Sequence, residues 1–434
     1  MLLPLQSDRP LIVYLDFKSP YAYLAVEPTR AMAQELGIAV DWRPFVLDIP
    51  SYLGSATLDK SGEVAKQKRS NEQWSGVKYA YYDCRRYANL RGLTVRGTVK
   101  IWDTNLASIA MLWARAQGDD VLARYIDAVY EPFWKRELDV ENPEVIRSVL
   151  ADSGADIAGF DRYTQGEGAA QNEALQNAAF EAGIFGVPTY IVKDNKYFGR
   201  EHLPRIRWHL SGEPGAAPDI GYLLPEGLGK AAAPGAELEL CIDFKCPHSY
   251  LALAPTLKLA AESGRKIIWH PRLSRPSRPA PAPEELSRGA RHRILRAENA
   301  ALELTRYAEQ PLLDKHPGTD SRIAAMGLLW LAEVAPLLLD RYVKMVFEHY
   351  WQSGEPIDGI NTIKGFVDKL GVDSEPLEGY VKGAGPAALI ASQEALSARG
   401  VIATPTYLLG EERFIGRQHL PLLACRLGAQ RTSE

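Results

Sequence analysis

Asp16-Phe17-Lys18-Ser19-Pro20-Tyr21-Ala22-Tyr23-Leu24-Ala25 returns in the second half of the chain as Asp243-Phe244-Lys245-Cys246-Pro247-His248-Ser249-Tyr250-Leu251-Ala252. Later segments return in the same order. Pro188-Thr189-Tyr190 matches Pro405-Thr406-Tyr407, and Gly199-Arg200-Glu201-His202-Leu203-Pro204 matches Gly416-Arg417-Gln418-His419-Leu420-Pro421. Between them, Asp83, Arg86-Tyr87-Ala88 and Leu112-Trp113 align with Glu303, Arg306-Tyr307-Ala308 and Leu329-Trp330. Anchors that keep their order over this span indicate an internal duplication. The repeats are read as residues 1–212 and 236–434, joined over 213–235 by a stretch with the Gly, Pro and Ala content of a tether.

Each quoted turn follows a short β-prone run, Leu11-Ile12-Val13-Tyr14-Leu15 or Leu238-Glu239-Leu240-Cys241-Ile242, and precedes an apolar-periodic helix. The middle of each repeat, about 57–182 and 284–399, is rich in Ala, Leu, Glu, Arg and Gln at helical spacing and reads as an inserted helical subdomain. Tyr190-Ile191-Val192 and Tyr407-Leu408-Leu409 begin a closing hairpin before a final helix. The order expected is strand, helix, strand, helical segment, strand, strand, helix.

The chain has 434 residues, 46% hydrophobic and 24% charged, enough for two cores of ordinary composition. A formal net charge of -4 gives no electrostatic footprint for nucleic acid. The first ten residues lack a basic region and a useful apolar stretch, and no apolar run reaches membrane-spanning length, so a cytoplasmic protein without membrane contact is expected. The four cysteines, Cys84, Cys241, Cys246 and Cys425, form no C-x-x-C pair and no metal-ligand spacing. A functional cysteine here acts alone, and no metal is expected.

Ser19-Pro20 and Cys246-Pro247 sit where a strand ends and a helix begins, where unpaired N–H groups and the helix dipole stabilise a thiolate. The plain reading of Ser19 is an N-cap followed by proline at the first helical position. For Cys246 the plain reading is an inert buried thiol. Val187-Pro188-Thr189 and Thr404-Pro405-Thr406 put a proline at a strand entry, where it donates nothing to the ladder and needs a local reason. Asp83 and Arg86, three apart on one helix face, are either a surface ion pair or part of a pocket floor. Lys18 and Lys245 add positive charge beside the turn or are simply solvated there.

Taken together, these segments resemble the DsbA-like branch of the thioredoxin superfamily, and within it the 2-hydroxychromene-2-carboxylate isomerases and kappa-class glutathione transferases. The resemblance rests on Asp16-Phe17, Ser19-Pro20-Tyr21, Tyr23-Leu24-Ala25, Asp83, Arg86-Tyr87-Ala88, Phe185-Gly186-Val187-Pro188-Thr189 and Phe198-Gly199. In the second repeat, Cys246-Pro247-His248-Ser249 looks like a disulfide oxidoreductase Cys-Pro-His-Cys with its second cysteine replaced. What it implies is an α/β thioredoxin-like fold with an inserted helical subdomain, duplicated in tandem, and a cis proline at 188 and 405 facing each helix N-terminus.

It further implies glutathione as cofactor, paired by backbone at Val187 and Thr404 as an added strand. Ser19 would hydrogen-bond the glutathione thiolate, and Glu201 would meet its γ-glutamyl end, where the second repeat has neutral Gln418. Pro20, Tyr21, Asp83, Arg86, Pro247 and His248 are the implied substrate contacts, with Ser19 and Cys246 catalytic. The activity implied is a glutathione-dependent isomerase or transferase acting on a small, aromatic electrophile. The alternatives are a monothiol oxidoreductase working through Cys246, and a second repeat that serves only as the partner in an intrachain pseudo-dimer.

Overall fold

The computed structural model describes residues 2–58, 64–228, 237–274 and 287–429. In the first repeat, β1 (Leu11–Leu15) is buried at all five positions and lies between β2 (Val40–Pro44), parallel to it, and β5 (Thr189–Val192), antiparallel. An unbroken apolar run suits a strand covered on both faces, which is why β1 lacks polar alternation. Between β2 and β5 the chain forms β3 (Ala56–Leu58) and β4 (Val64–Gln67), an antiparallel pair; β6 (Asn195–Phe198) completes the main sheet in the order β2-β1-β5-β6. The second repeat builds the same sheet from β7 (Leu238–Ile242), β8 (Ile267–Pro271), β9 (Thr406–Leu409) and β10 (Glu412–Ile415), ordered β10-β9-β7-β8.

The inserted segments are mainly helical, as their periodicity predicts. One departure lies at the start of the first insertion, where residues expected to be helical from about 57 form the β3-β4 pair. Helix begins only at Asn71, where Ser70 and Gln73 close a capping box, Ser70 Oγ accepting from Gln73 N and Gln73 Oε1 from Ser70 N.

The chain divides into two compact units, Met1–Glu226 with Ala280–Asn299, and Gly227–Pro279 with Ala300–Glu434. Described residues 287–299, second-repeat by sequence, therefore pack in the first unit. The interval expected to be a tether is also partly packed. Arg205 Nε donates to Pro218 O, Arg91 Nη2 to Leu223 O, and Tyr222 is buried edge-on against Tyr87. Its remainder, Lys230 through Gly235, lies outside the described residues, as does the expected start of the second insertion at about 284.

Candidate active site

In the first unit the turn after β1 is held by Asp16. Its carboxylate, buried, accepts from Leu47 N, Lys18 N and Thr104 Oγ1, tying the turn to the chain after β2 and to the start of the Asn105–Arg115 helix. Asp243 repeats the device with Ser274 N, Lys245 N and Ser321 Oγ. Sequence reasoning quoted both aspartates and gave them no role; the signal available was an acid fixed two residues before each lysine. Neither lysine is a solvated charge. Lys18 Nζ lies 3.3 Å from Asp16 and 3.1 Å from Thr104, and Lys245 Nζ donates to the carbonyls of His316 and Thr319.

That turn delivers Ser19 as N-cap of the Pro20–Glu35 helix. Its Oγ accepts from Ala22 N at 3.2 Å and donates to Val187 O at 3.5 Å. Cys246 caps the Pro247–Ser263 helix in the same backbone conformation but makes no side-chain cap; its Sγ–H reaches Thr404 O at 3.4 Å. Both carbonyls precede a proline, and both peptide bonds, Val187–Pro188 and Thr404–Pro405, are cis. The structure thus brings Ser19 to Val187, and Cys246 to Thr404.

A cavity of about 760 Å³ opens beside the first pair. Lys18, Ser19, Pro20, Tyr21 and Val187 form one side, and Trp74, Tyr81 and Trp102 are among its aromatic walls. Among the other aromatic side chains of the first insertion, Tyr79, Tyr82 and Trp113 do not line it; Trp113 packs on Phe160 and Tyr163. Cations lie over the wall rings, Lys100 at 4.3 Å from Trp102, Arg69 and Lys78 at 5.6 and 5.7 Å from Trp74. Among the described residues no carboxylate lines the cavity. Its remaining wall includes Tyr52, Phe185, His292 and Arg296.

Asp83 and Arg86 are neither on the surface nor in the cavity lining. They form a buried pair at 2.9 Å, Arg86 lying over the Tyr82 ring at 4.9 Å. Burial lifts the Asp83 carboxyl to about 6, against the pull of Arg86 and Arg200, and nearby Glu201 lifts it further. Arg200 is buried between Tyr87 and Tyr222, 4.5 and 3.8 Å from their ring centres. Glu201 lies in the turn at Arg200–His202, its carboxylate folded over Gly199, whose φ of +113° is open to glycine. Gln418, its counterpart, donates to Ile415 O. His202 and His419 are buried against Tyr197 and Phe414, at the packed start of each final helix.

Burial pushes the thiols of Cys84 and Cys241 up, Cys241 to about 12, which leaves both as inert core residues. In the second unit Pro247 and His248 are half-buried beside Cys246, and burial together with Arg417 holds the His248 imidazole below its ordinary pKa.

The strand order, the inserted helices and the capped turn facing a proline loop define a thioredoxin-type unit, built twice. The chain belongs to the DSBA-like thioredoxin domain family, whose model matches residues 10–211 and again 237–428. It is similar to the 2-hydroxychromene-2-carboxylate isomerase of Sphingobium xenophagum, 27% identical over 202 residues, covering 45% of this chain and 95% of that protein. The Pseudomonas putida isomerase of the same name is 23% identical over 192 residues, 44% of this chain and 88% of its own. Among solved structures, a 2-hydroxychromene-2-carboxylate isomerase superposes with TM-score 0.35 at 25% identity, covering 43% of this chain and 91% of that one. The cytosolic disulfide reductase DsbM from Pseudomonas aeruginosa with GSH gives 0.32 at 18% identity, over 41% and 88%. No helix among the described residues is long and apolar enough to cross a membrane.

Proposed function

We propose that the first unit is a glutathione-dependent isomerase or transferase for a small aromatic electrophile. The observation that carries this reading is the cavity of about 760 Å³ that opens on Ser19, at a helix N-terminus, and on Val187. Ligand pockets of this kind are commonly of a few hundred Å³ or more, mostly apolar, with a few convergent polar groups.

The residues present fit an extended tripeptide. Pairing of β1 with β5 stops at Tyr14 and Thr189, so Val187, two residues earlier, lies beyond the ladder where a strand can be added. Glu201 is absent from the cavity lining, so the γ-glutamyl contact implied for it is not part of the fit. Glutathione, when bound, supplies a thiolate that adds reversibly to a conjugated carbonyl. Ser19 Oγ–H donates to that sulfur in place of Val187 O, the helix N-terminus favours its negative charge, and the aromatic walls align the acceptor. Lys18 is already paired with Asp16, so the helix terminus and Ser19 carry most of this stabilisation.

Calorimetric titration of the full chain tests the reading directly: micromolar to millimolar glutathione affinity is expected, and no binding ends it. Ser19→Ala is expected to lower turnover about 100-fold, by analogy with the loss of one oriented donor. The same change removes a cap worth about 1 kcal/mol, so the variant stays folded.

A second reading applies to the second unit, because Cys246 is half-exposed at a helix N-terminus opposite Thr404 while Cys84 and Cys241 are buried. Here the Cys246 thiolate attacks oxidised glutathione, one S–S bond breaks as another forms, and glutathione thiolate leaves. Intact-protein mass after exposure to oxidised glutathione should gain one glutathionyl group in Cys425→Ser and none in Cys246→Ser. Gain in both excludes a specific role for Cys246.

A further inference from the structure

The segment 287–299, which the repeat assigns to the second copy, forms part of the wall of the first cavity. Its docking is specific. Gly289 lies flush on the Ile49–Leu53 turn, where a Cβ would stand 2.0 Å from Ser51 O. Arg291 makes two hydrogen bonds to the Glu181 carboxylate, at 2.7 and 2.6 Å, and Arg288 covers the Phe180 ring at 4.3 Å.

His292, 7% exposed, stacks on Tyr52 with ring centres 3.7 Å apart and planes 2° apart, and meets Phe185 edge-on at 5.5 Å. Phe185 itself lies two residues before Val187. Arg296 follows one turn later on the same helix face and stands at the cavity, exposed, while His292 is locked beneath it.

We propose that this helix completes the first site, with Arg296 as a specificity-determining residue that favours an anionic over an uncharged aromatic ligand. His292 is a positioning residue, fixing the helix face that carries Arg296 through its ring contacts with Tyr52 and Phe185. A cation lining a cavity that has no carboxylate among its described lining residues attracts an anion on entry and hydrogen-bonds it once bound. The proposal rests on reading the cavity as the acceptor site, and its test needs no glutathione.

The full chain is titrated with anilinonaphthalene sulfonate and with its uncharged counterpart phenylnaphthylamine, following probe fluorescence. Wild type is expected to prefer the sulfonate. Arg296→Gln should weaken the sulfonate about tenfold, the scale of one charge-assisted hydrogen bond, while the uncharged probe changes by less than about twofold. His292→Phe, which keeps a stacked ring, should preserve the preference, and His292→Ala should weaken both probes. Equal change for both probes in Arg296→Gln, or none for either, overturns the proposal. Glutathione titrated into the same samples separates the two readings: probe discrimination without glutathione binding removes the proposed activity and leaves Arg296 in its role.

Discussion

Ser19 and Cys246 occupy one position in two copies of one turn, and their side chains do different things there. The hydroxyl both caps its helix and reaches the carbonyl before the proline, whereas the thiol only reaches the carbonyl. Buried Asp83 gives this scale a pH signature. Its carboxyl sits at about 6 in the folded chain against 3.8 as a reference, so between those values the native state holds more protons than the unfolded one. Stability contributed at this site therefore falls as pH rises from about 4 to 6, by at most about 3 kcal/mol at 1.36 kcal/mol per unit. Thermal melts of wild type against Asp83→Asn should show that slope in the former only. His292 runs the other way. Burial and Arg296 hold it at about 4, below its ordinary 6.5, so its contribution is present above 6.5 and lost as pH falls towards 4. His292→Phe should flatten that acid limb in the same melts.

At the scale of elements, the helix that begins at Arg288 matters most because its glycine permits contact with backbone. Gly289→Val places branched carbons where Ser51 O already stands, and a carbonyl in a short turn cannot rotate aside as a long side chain can. The expected result is a loss of about 1–3 kcal/mol, seen as a lower Tm, together with weaker binding of both aromatic probes. A Gly289→Val chain that melts and binds like wild type would show that this helix is not seated on Ser51. Elements with a local cause were legible from composition: β1 as a continuous apolar run, the Pro20–Glu35 helix from its Ser-Pro start. The β3-β4 pair was hidden, because it interrupts a stretch whose overall composition is helical.

Across the whole molecule, sequence repeats and compact units do not coincide. Stopping the chain at residue 228 keeps the first repeat and removes residues 287–299, which cover Tyr52, Phe180 and Phe185. Such a chain is expected to melt below the full-length first unit and to lose the preference for the sulfonate probe; equal melting and equal preference would contradict the role given to that helix. Apart from the β3-β4 pair, the order of elements, the duplication, the two helix-starting turns and the two proline loops were readable in the amino-acid sequence, since each depends on residues adjacent in the chain. Tertiary structure alone decided that Asp83 and Arg86 lie outside the cavity lining, that Thr104 joins Asp16 and Lys18 in one buried cluster, and that His292 and Arg296 reach the first site. Those outcomes depend on which surfaces meet after the chain folds back on itself, and spacing along a sequence carries no record of distance between segments so far apart.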